Sequence, residues 1–206
     1  KREYKILGNG QYMDLKDEKP FSTQFSYTRF LVPTIARKNN LHGWVLFCDN
    51  DFLFFSDVAR LFALADPKYA VMCVKHDWQG KEGVKMDGMR QEAYFRKLWS
   101  SLVLWNMDHA SNDAITEFEV NNASGAYLHG FQWLNDQDIG GLPPSWNFIP
   151  GFSPLVDRHQ FPPHAVHFSY GGPWLEDHKN DDFADEWRME YEHLQTVKNP
   201  KPADWI

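Results

Sequence analysis

The stretch Trp44-Val45-Leu46-Phe47-Cys48-Asp49-Asn50-Asp51-Phe52-Leu53-Phe54-Phe55 decides how the chain is read. A short apolar run precedes Asp49-Asn50-Asp51, and a second one follows it. Val45 to Phe47 read as a strand covered on both faces, because a continuous apolar run of that length is what such a strand looks like. In extended backbone, residues i and i+2 point to the same side. Asp49 and Asp51 can therefore face one cation together, and hard carboxylate oxygens suit Mg²⁺ or Mn²⁺ on a phosphate ligand. Asp-x-Asp is also a common short pattern, so a polar turn between two buried segments is an equal reading.

Working outward, the chain of 206 residues can hold one good-sized domain, 1–206, with a real core. Hydrophobic residues make up 43%, which excludes a disordered chain. The net charge of −7 comes without a basic patch, which argues against nucleic acid or an anionic membrane as the main partner. Cys48 and Cys73 both lie in apolar runs and read as buried free thiols, with no zinc or disulfide pattern. No stretch is long enough to span a bilayer and no signal peptide is recognised, so a reducing, cytoplasmic location is expected. The nine Trp fit either an aromatic core or a sugar-facing cleft.

Lys1 to Pro20 shows a turn at Gly8-Asn9-Gly10 but no strong strand. Phe25, Phe30, Leu31 and Ile35 recur at helical spacing, with Ser22-Thr23 as an N-cap and Pro33 near the helix end. Arg29 lies in this helix, either as a surface salt-bridge partner or as a guanidinium aimed at phosphate. Asp57 to Phe62 reads as a short helix, and Tyr69 to Val74 and Leu102 to Trp105 as buried strands. Gln79 to Arg90 reads as a long loop. Asn112 to Leu134 reads as one or two helices, with Asn121, Asn122 and Ser124 as caps. Residues 135–144 read as loop because of Gly140-Gly141 and Pro143-Pro144. Ala165 to Phe168 is a short strand, Asp185 to Leu194 a terminal helix, and 198–206 a tail. Strands alternating with helices predict an α/β sheet with crossover helices. Asp49, Asp51, Lys75-His76, Ser100-Ser101 and His167 all fall at or just beyond strand ends, where open α/β sheets bind ligands.

Four ordered motifs then resemble something known. They are Phe21-Ser22-Thr23-x-Phe25-Ser26-x-x-Arg29-Phe30-Leu31-Val32-Pro33, Leu46 to Leu53, Trp99-Ser100-Ser101-Leu102-x-Leu104-x-Asn106, and His167-Phe168-x-x-Gly171-Gly172-Pro173-Trp174. Together they resemble nucleotide-sugar glycosyltransferases of the GT-A fold, most of all the retaining family 8 group and related small bacterial and viral transferases. The resemblance runs from Phe21 to about Leu194. It implies a single mixed sheet flanked by helices, and Mn²⁺ (or Mg²⁺) held by Asp49, Asp51 and His167. It also implies donor contacts from Arg29, Asn50, Lys75 and Ser100, and Asp136 and Gln137 as the catalytic pair at the sugar. The amides of Gly171 and Gly172 can approach a phosphate closely because neither residue carries a side chain.

The implied activity is transfer of a hexosyl or deoxyhexosyl group from a nucleotide sugar, expected to be a UDP-sugar, to a glycan or other hydroxyl acceptor, with retention. Acceptor contacts are expected from Gln79–Arg90 and from the segment around Pro143–Pro150. Two other activities compete: a nucleotide-sugar hydrolase or nucleotidyltransferase, and a non-catalytic carbohydrate-binding module. The chain departs from the family at Gly172, where members carry a diphosphate-binding lysine, and at Ser100, where members carry Asn. Either Lys179 or Lys75 replaces the lysine, or the metal suffices without it. The family also begins with a strand bearing the nucleotide-base pocket. Only 20 residues precede Phe21, so either an N-terminal piece is absent from this chain or the pocket is built differently.

Overall fold

The first element of order is strand β9 (Leu102–Asn106), five residues that are all buried. It is the centre of a four-stranded mixed sheet of order β10-β6-β9-β4, with β4 (Trp44–Cys48), β6 (Val71–Cys73) and β10 (Ile139–Gly141). β9 runs antiparallel to β4 and β6, and β10 is parallel to β6. Alternate residues of β9 face opposite cores, as a strand requires. Val103 and Trp105 pack with Val71, Cys73, Phe30 and Phe131. Leu102 and Leu104 pack with Met72, Leu61 and Trp146. The expected mixed sheet and its flanking helices are therefore present. The structure used here is a computed structural model that describes residues 2–21, 23, 25–77, 83–84, 90–91, 96–154 and 160–198.

Three smaller sheets accompany the central one. β1 (Tyr4–Ile6), β2 (Tyr12–Asp14) and β3 (Pro20–Phe21) form an antiparallel meander. β5 (Phe52–Phe54) pairs antiparallel with β11 (Ala165–His167). β7 (Gly83–Val84) pairs with β8 (Arg90–Gln91). The helices are α1 (Val32–Lys38), α2 (Ala59–Phe62), α3 (Glu117–Asn122), α4 (Gly125–His129) and α5 (Ala184–Lys198).

Several local expectations change. The N-terminal residues contain the meander, whose strands are too short for alternation to show. Tyr4 meets Tyr12 and Phe21 edge to face, and the Tyr12 and Phe21 rings lie tilted at 5.5 Å. The helix expected over 21–35 starts later: Thr28–Leu31 is one 3-10 turn, α1 follows, and Pro33 opens α1 rather than ending it. Ser22 lies outside the described residues. Ser124 caps α4 as expected, by accepting from the Tyr127 N–H at 3.1 Å. The α3 cap is Thr116, while Asn121 and Asn122 sit inside that helix. β10 replaces expected loop at Gly140-Gly141, because a Cβ at Gly140 would meet the Tyr69 ring at 2.5 Å. β4 is half-buried rather than covered, because among the described residues it is the outer strand of its sheet. Most of Gln79–Arg90 and the tail from 199 lie outside the described residues.

This topology gathers the chemistry. β4 and β6 end on the edge where β9 begins, since Cys48 lies opposite Leu102 and Cys73 opposite Val103. Asp49, Lys75-His76-Asp77 and Ser100-Ser101 therefore share one edge.

Candidate active site

Asp49 is fixed first, because its N–H donates to the Ser101 carbonyl at 2.8 Å as β4 ends. Asn50 and Asp51 then turn the chain into β5, where Phe52 pairs with His167 of β11. The Phe168 N–H closes the ladder on the Asp51 carbonyl at 2.9 Å. Strand register thus carries His167 to the two carboxylates from more than a hundred residues away in the sequence. One ligand atom from each of Asp49, Asp51 and His167 lies within 4.8 Å of the others. The His167 ring stacks on Phe52 at 4.4 Å, which sets its plane.

A hydrogen-bond chain sets the tautomer of that ring. Ser101 Oγ donates to the Leu98 carbonyl at 2.7 Å, and so accepts from Asn147 Nδ2 at 2.9 Å. Asn147 Oδ1 is then left to accept from His167 Nδ1 at 3.0 Å. With its proton on Nδ1, His167 turns the bare Nε2 lone pair toward Asp51 Oδ1, 3.3 Å away. Two electron-rich atoms facing each other at that distance suit a cation shared between them. The donor set of two carboxylates and one imidazole fits Mn²⁺ or Mg²⁺ chemistry. Asn147 and Ser101, both buried, are the outer partners such ligands need.

Arg29 reaches the same edge from its 3-10 turn. It pairs with Asp49 through both carboxylate oxygens, at 2.9 and 3.2 Å, and donates to the Ser100 carbonyl at 2.9 Å. Ser100 Oγ lies 2.9 Å from His129 Nδ1. Both are buried. Arg29, Asp49, Ser100 and His167 line one cavity of about 310 Å³. Asp17, Lys19, Pro20 and Phe21 of the N-terminal meander line it too, together with Ser124 to Ala126. His76 lies behind the site. Burial lowers it to about 4 from 6.5, with a smaller lowering from the nearby His167 and an opposing effect from its hydrogen bonding with Asn147, so its ring is neutral near pH 7.

The other expected residues stand apart. Asn50 is exposed. Lys75 donates to the Ile139 carbonyl at 2.7 Å and sits over the Trp99 ring, and Lys179 pairs with Glu176. Asp136 and Gln137 form an exposed 3-10 turn, with Asp136 ion-paired to Arg96. Gly171 and Gly172 are buried, but the Gly171 N–H donates to the Phe168 carbonyl. The rings of His178 and Trp174 fill the space where their Cβ atoms would go. Both cysteines are free thiols, and burial pushes Cys73 up to about 12. Asn147, His129 and the meander wall were not singled out in the sequence. A lone Asn between Trp146 and Phe148 was the available signal, since a polar residue inside an aromatic run must find buried partners.

No family model matches the chain. Protein CDI of Arabidopsis thaliana is 45% identical over 184 residues, covering 89% of this chain and 70% of that protein. The chain belongs to the CDI family. Among solved structures, the apo form of the glycosyltransferase GlyE of Streptococcus pneumoniae TIGR4 is similar with a TM-score of 0.51 at 19% identity. That match covers 85% of this CDI-family chain and 45% of GlyE, so the chain spans under half of the solved protein. The galactosyltransferase LgtC, in complex with donor and acceptor sugar analogues, scores 0.46 at 16% identity over 82% of this chain and 66% of its own. The CDI-family chain has the GT-A fold of nucleotide-sugar glycosyltransferases. Among its described residues, no helix is long and apolar enough to cross a membrane.

Proposed function

We propose that the protein is a glycosyltransferase that moves a hexosyl or deoxyhexosyl group from a nucleotide sugar, a UDP-sugar, to a hydroxyl of a glycan acceptor, with retention. The observation that carries this is the Asp49–Asp51–His167 cluster, with the His167 lone pair turned toward a carboxylate at 3.3 Å. Those three residues hold a divalent cation, Mn²⁺ or Mg²⁺. When bound, the metal supplies Lewis-acid stabilisation of the charge that develops on a leaving diphosphate.

The chain's own residues do the rest. Arg29, steered by Asp49 and the Ser100 carbonyl, presents its guanidinium to the cavity that receives the donor. Ser100, held by His129, offers a hydroxyl on the same wall. Asp136 and Gln137 are the sugar-side pair by resemblance. Asp136 can act there only when Arg96 releases it, since the two form an ion pair in this structure. Free thiols at Cys48 and Cys73 fit a cytoplasmic protein.

Calorimetric titration of a panel of nucleotide sugars, with and without Mn²⁺, tests the reading. Binding of one donor only with metal is the expected result and names the sugar. Sugar binding that needs neither metal nor nucleotide would replace the transferase with a carbohydrate-binding module. Release of nucleoside diphosphate without an acceptor would replace it with a hydrolase.

A further inference from the structure

The hairpin between β2 and β3 turns through Leu15 to Lys19, and Asp17 is the one residue of that turn that is not exposed. The Asp14 N–H donates to the Lys19 carbonyl at 3.0 Å, and Glu18 takes a left-handed backbone with φ of 56°. Glu does not favour that region, so the turn is held by its surroundings. Asp17 is fixed by backbone on both sides. Its Oδ1 accepts from the Lys19 N–H at 3.1 Å, and its Oδ2 accepts from the Gly125 N–H of α4 at 2.7 Å. Each carboxylate oxygen is oriented by one amide, and each keeps lone-pair capacity for a second donor.

Asp17 lines the cavity that Asp49 and His167 also line, and so do Phe21 and Tyr27, whose rings meet edge to face at 5.3 Å. A Cβ at Gly125 would meet Tyr27 Oη at 2.9 Å and Asp17 Oδ2 at 3.6 Å, so a glycine there lets the phenol and the carboxylate converge. Burial pushes the Tyr27 phenol above its usual range, Arg2 opposes that, and Asp14 and Asp17 add to it, so the ring carries a neutral hydroxyl. One wall thus combines a carboxylate with fixed oxygens, a phenol hydroxyl and aromatic surface. A sugar ring answers that combination, with hydroxyls that donate at its edge and C–H groups on its face. The paired oxygens of one carboxylate match two adjacent hydroxyls as they match the paired donors of a guanidinium.

We propose that Asp17 is a sugar-binding residue of this cavity, whose two carboxylate oxygens accept from a pair of adjacent hydroxyls on the donor. That diol belongs either to the ribose of the nucleotide or to the transferred sugar. Asp136 and Gln137 are not among the residues that line the cavity, so Asp17 supplies there a carboxylate that they do not. The proposal deepens the transferase reading and rests on it, because it takes the ligand of the cavity to be a nucleotide sugar. A diol held by Asp17 is also held against α4, since the same carboxylate joins the hairpin to Gly125.

The test titrates Mn²⁺-loaded wild type, Asp17→Asn and Asp17→Ala with UDP, 2′-deoxy-UDP, UDP-glucose, UDP-galactose and free glucose. A wild type that prefers UDP to 2′-deoxy-UDP by about tenfold or more, with that preference gone in both variants, assigns Asp17 to the ribose. Wild-type affinity for UDP in the variants, with a loss of about tenfold or more for UDP-glucose or UDP-galactose, assigns it to the transferred sugar. Unchanged affinities in both variants, whose folding is checked by thermal melting, overturn the proposal. An equal loss for UDP and 2′-deoxy-UDP, with the wild-type preference intact, also overturns it, because Asp17 then only braces the hairpin. A wild type that binds no nucleotide removes the transferase reading. Glucose binding that both variants abolish would then keep the sugar site, and no glucose binding would end the proposal as well.

Discussion

Two acidic turns differ more in the structure than in the sequence. Asp49-Asn50-Asp51 and Asp136-Gln137-Asp138 are both short polar interruptions beside a strand of the same sheet. The first is clamped by the β5–β11 ladder, by a backbone bond to Ser101 and by Arg29. The second is an exposed 3-10 turn whose leading carboxylate is tied to Arg96. A carboxylate becomes a ligand when strand register and buried partners fix it, and the first turn has both. The second is held by one ion pair and can change partner.

The largest effect is expected from Asp51→Ala. It removes one of the three proposed ligands, so Mn²⁺-dependent nucleotide binding should vanish in calorimetry while the melting temperature stays close to wild type. Unchanged nucleotide affinity would sink the metal assignment. Asn147→Leu comes next. It frees the His167 tautomer and leaves Ser101 and His167 short of a partner, so metal affinity should fall about 10- to 100-fold and stability by about 1–3 kcal/mol. Asn147→Asp keeps an acceptor toward His167 and should hold metal better than the Leu variant. Equal metal affinity in the two would detach the Ser101–Asn147 chain from the site.

Acid should loosen the first turn from behind. His76 sits at about 4 in the fold against 6.5 ordinarily, so the unfolded chain takes up a proton first as pH falls. Stability that is full above pH 6.5 is lost progressively toward pH 4, with no further loss from this group below that. The total is about 3 kcal/mol. His76→Phe should flatten urea midpoints measured across that window. A slope as steep as wild type would assign the acid sensitivity to other groups. The smallest effect belongs to the second turn: Asp136→Asn weakens a pair whose carboxylate lies in solvent, and should cost about 1 kcal/mol. If Asp136 acts at the sugar, kcat falls while donor affinity holds. An unchanged kcat would confine Asp136 to its contact with Arg96.

The same contrast explains what could be read in advance. Asp49 and Asp51 were legible because their meaning is local, two carboxylates at the end of an apolar run. The strands β6 and β9 were legible for the same reason. His167 needed the resemblance, because its own neighbours describe only a core strand. Asn147 acts through partners at positions 101 and 167, and such long-range pairings leave no spacing signal. β10 was hidden by Gly140-Gly141, of which Gly140 packs closely against Tyr69. The left-handed backbone at Arg96 and Leu98 was invisible, since neither residue type announces it.

One side chain ties the meander that walls the cavity to the region of α3. Arg2 donates to Asp14 at 2.6 Å and to the carbonyls of Val120 and Ala123 at 2.9 and 2.7 Å. Those partners lie 118 and 121 residues along the chain. Closing so large a loop comes late in folding, because its entropy must be spent before any contact repays it. During synthesis the cavity therefore stays open until α3 has emerged. A nascent chain can carry the paired β4 and β9 strands before it owns a walled binding site.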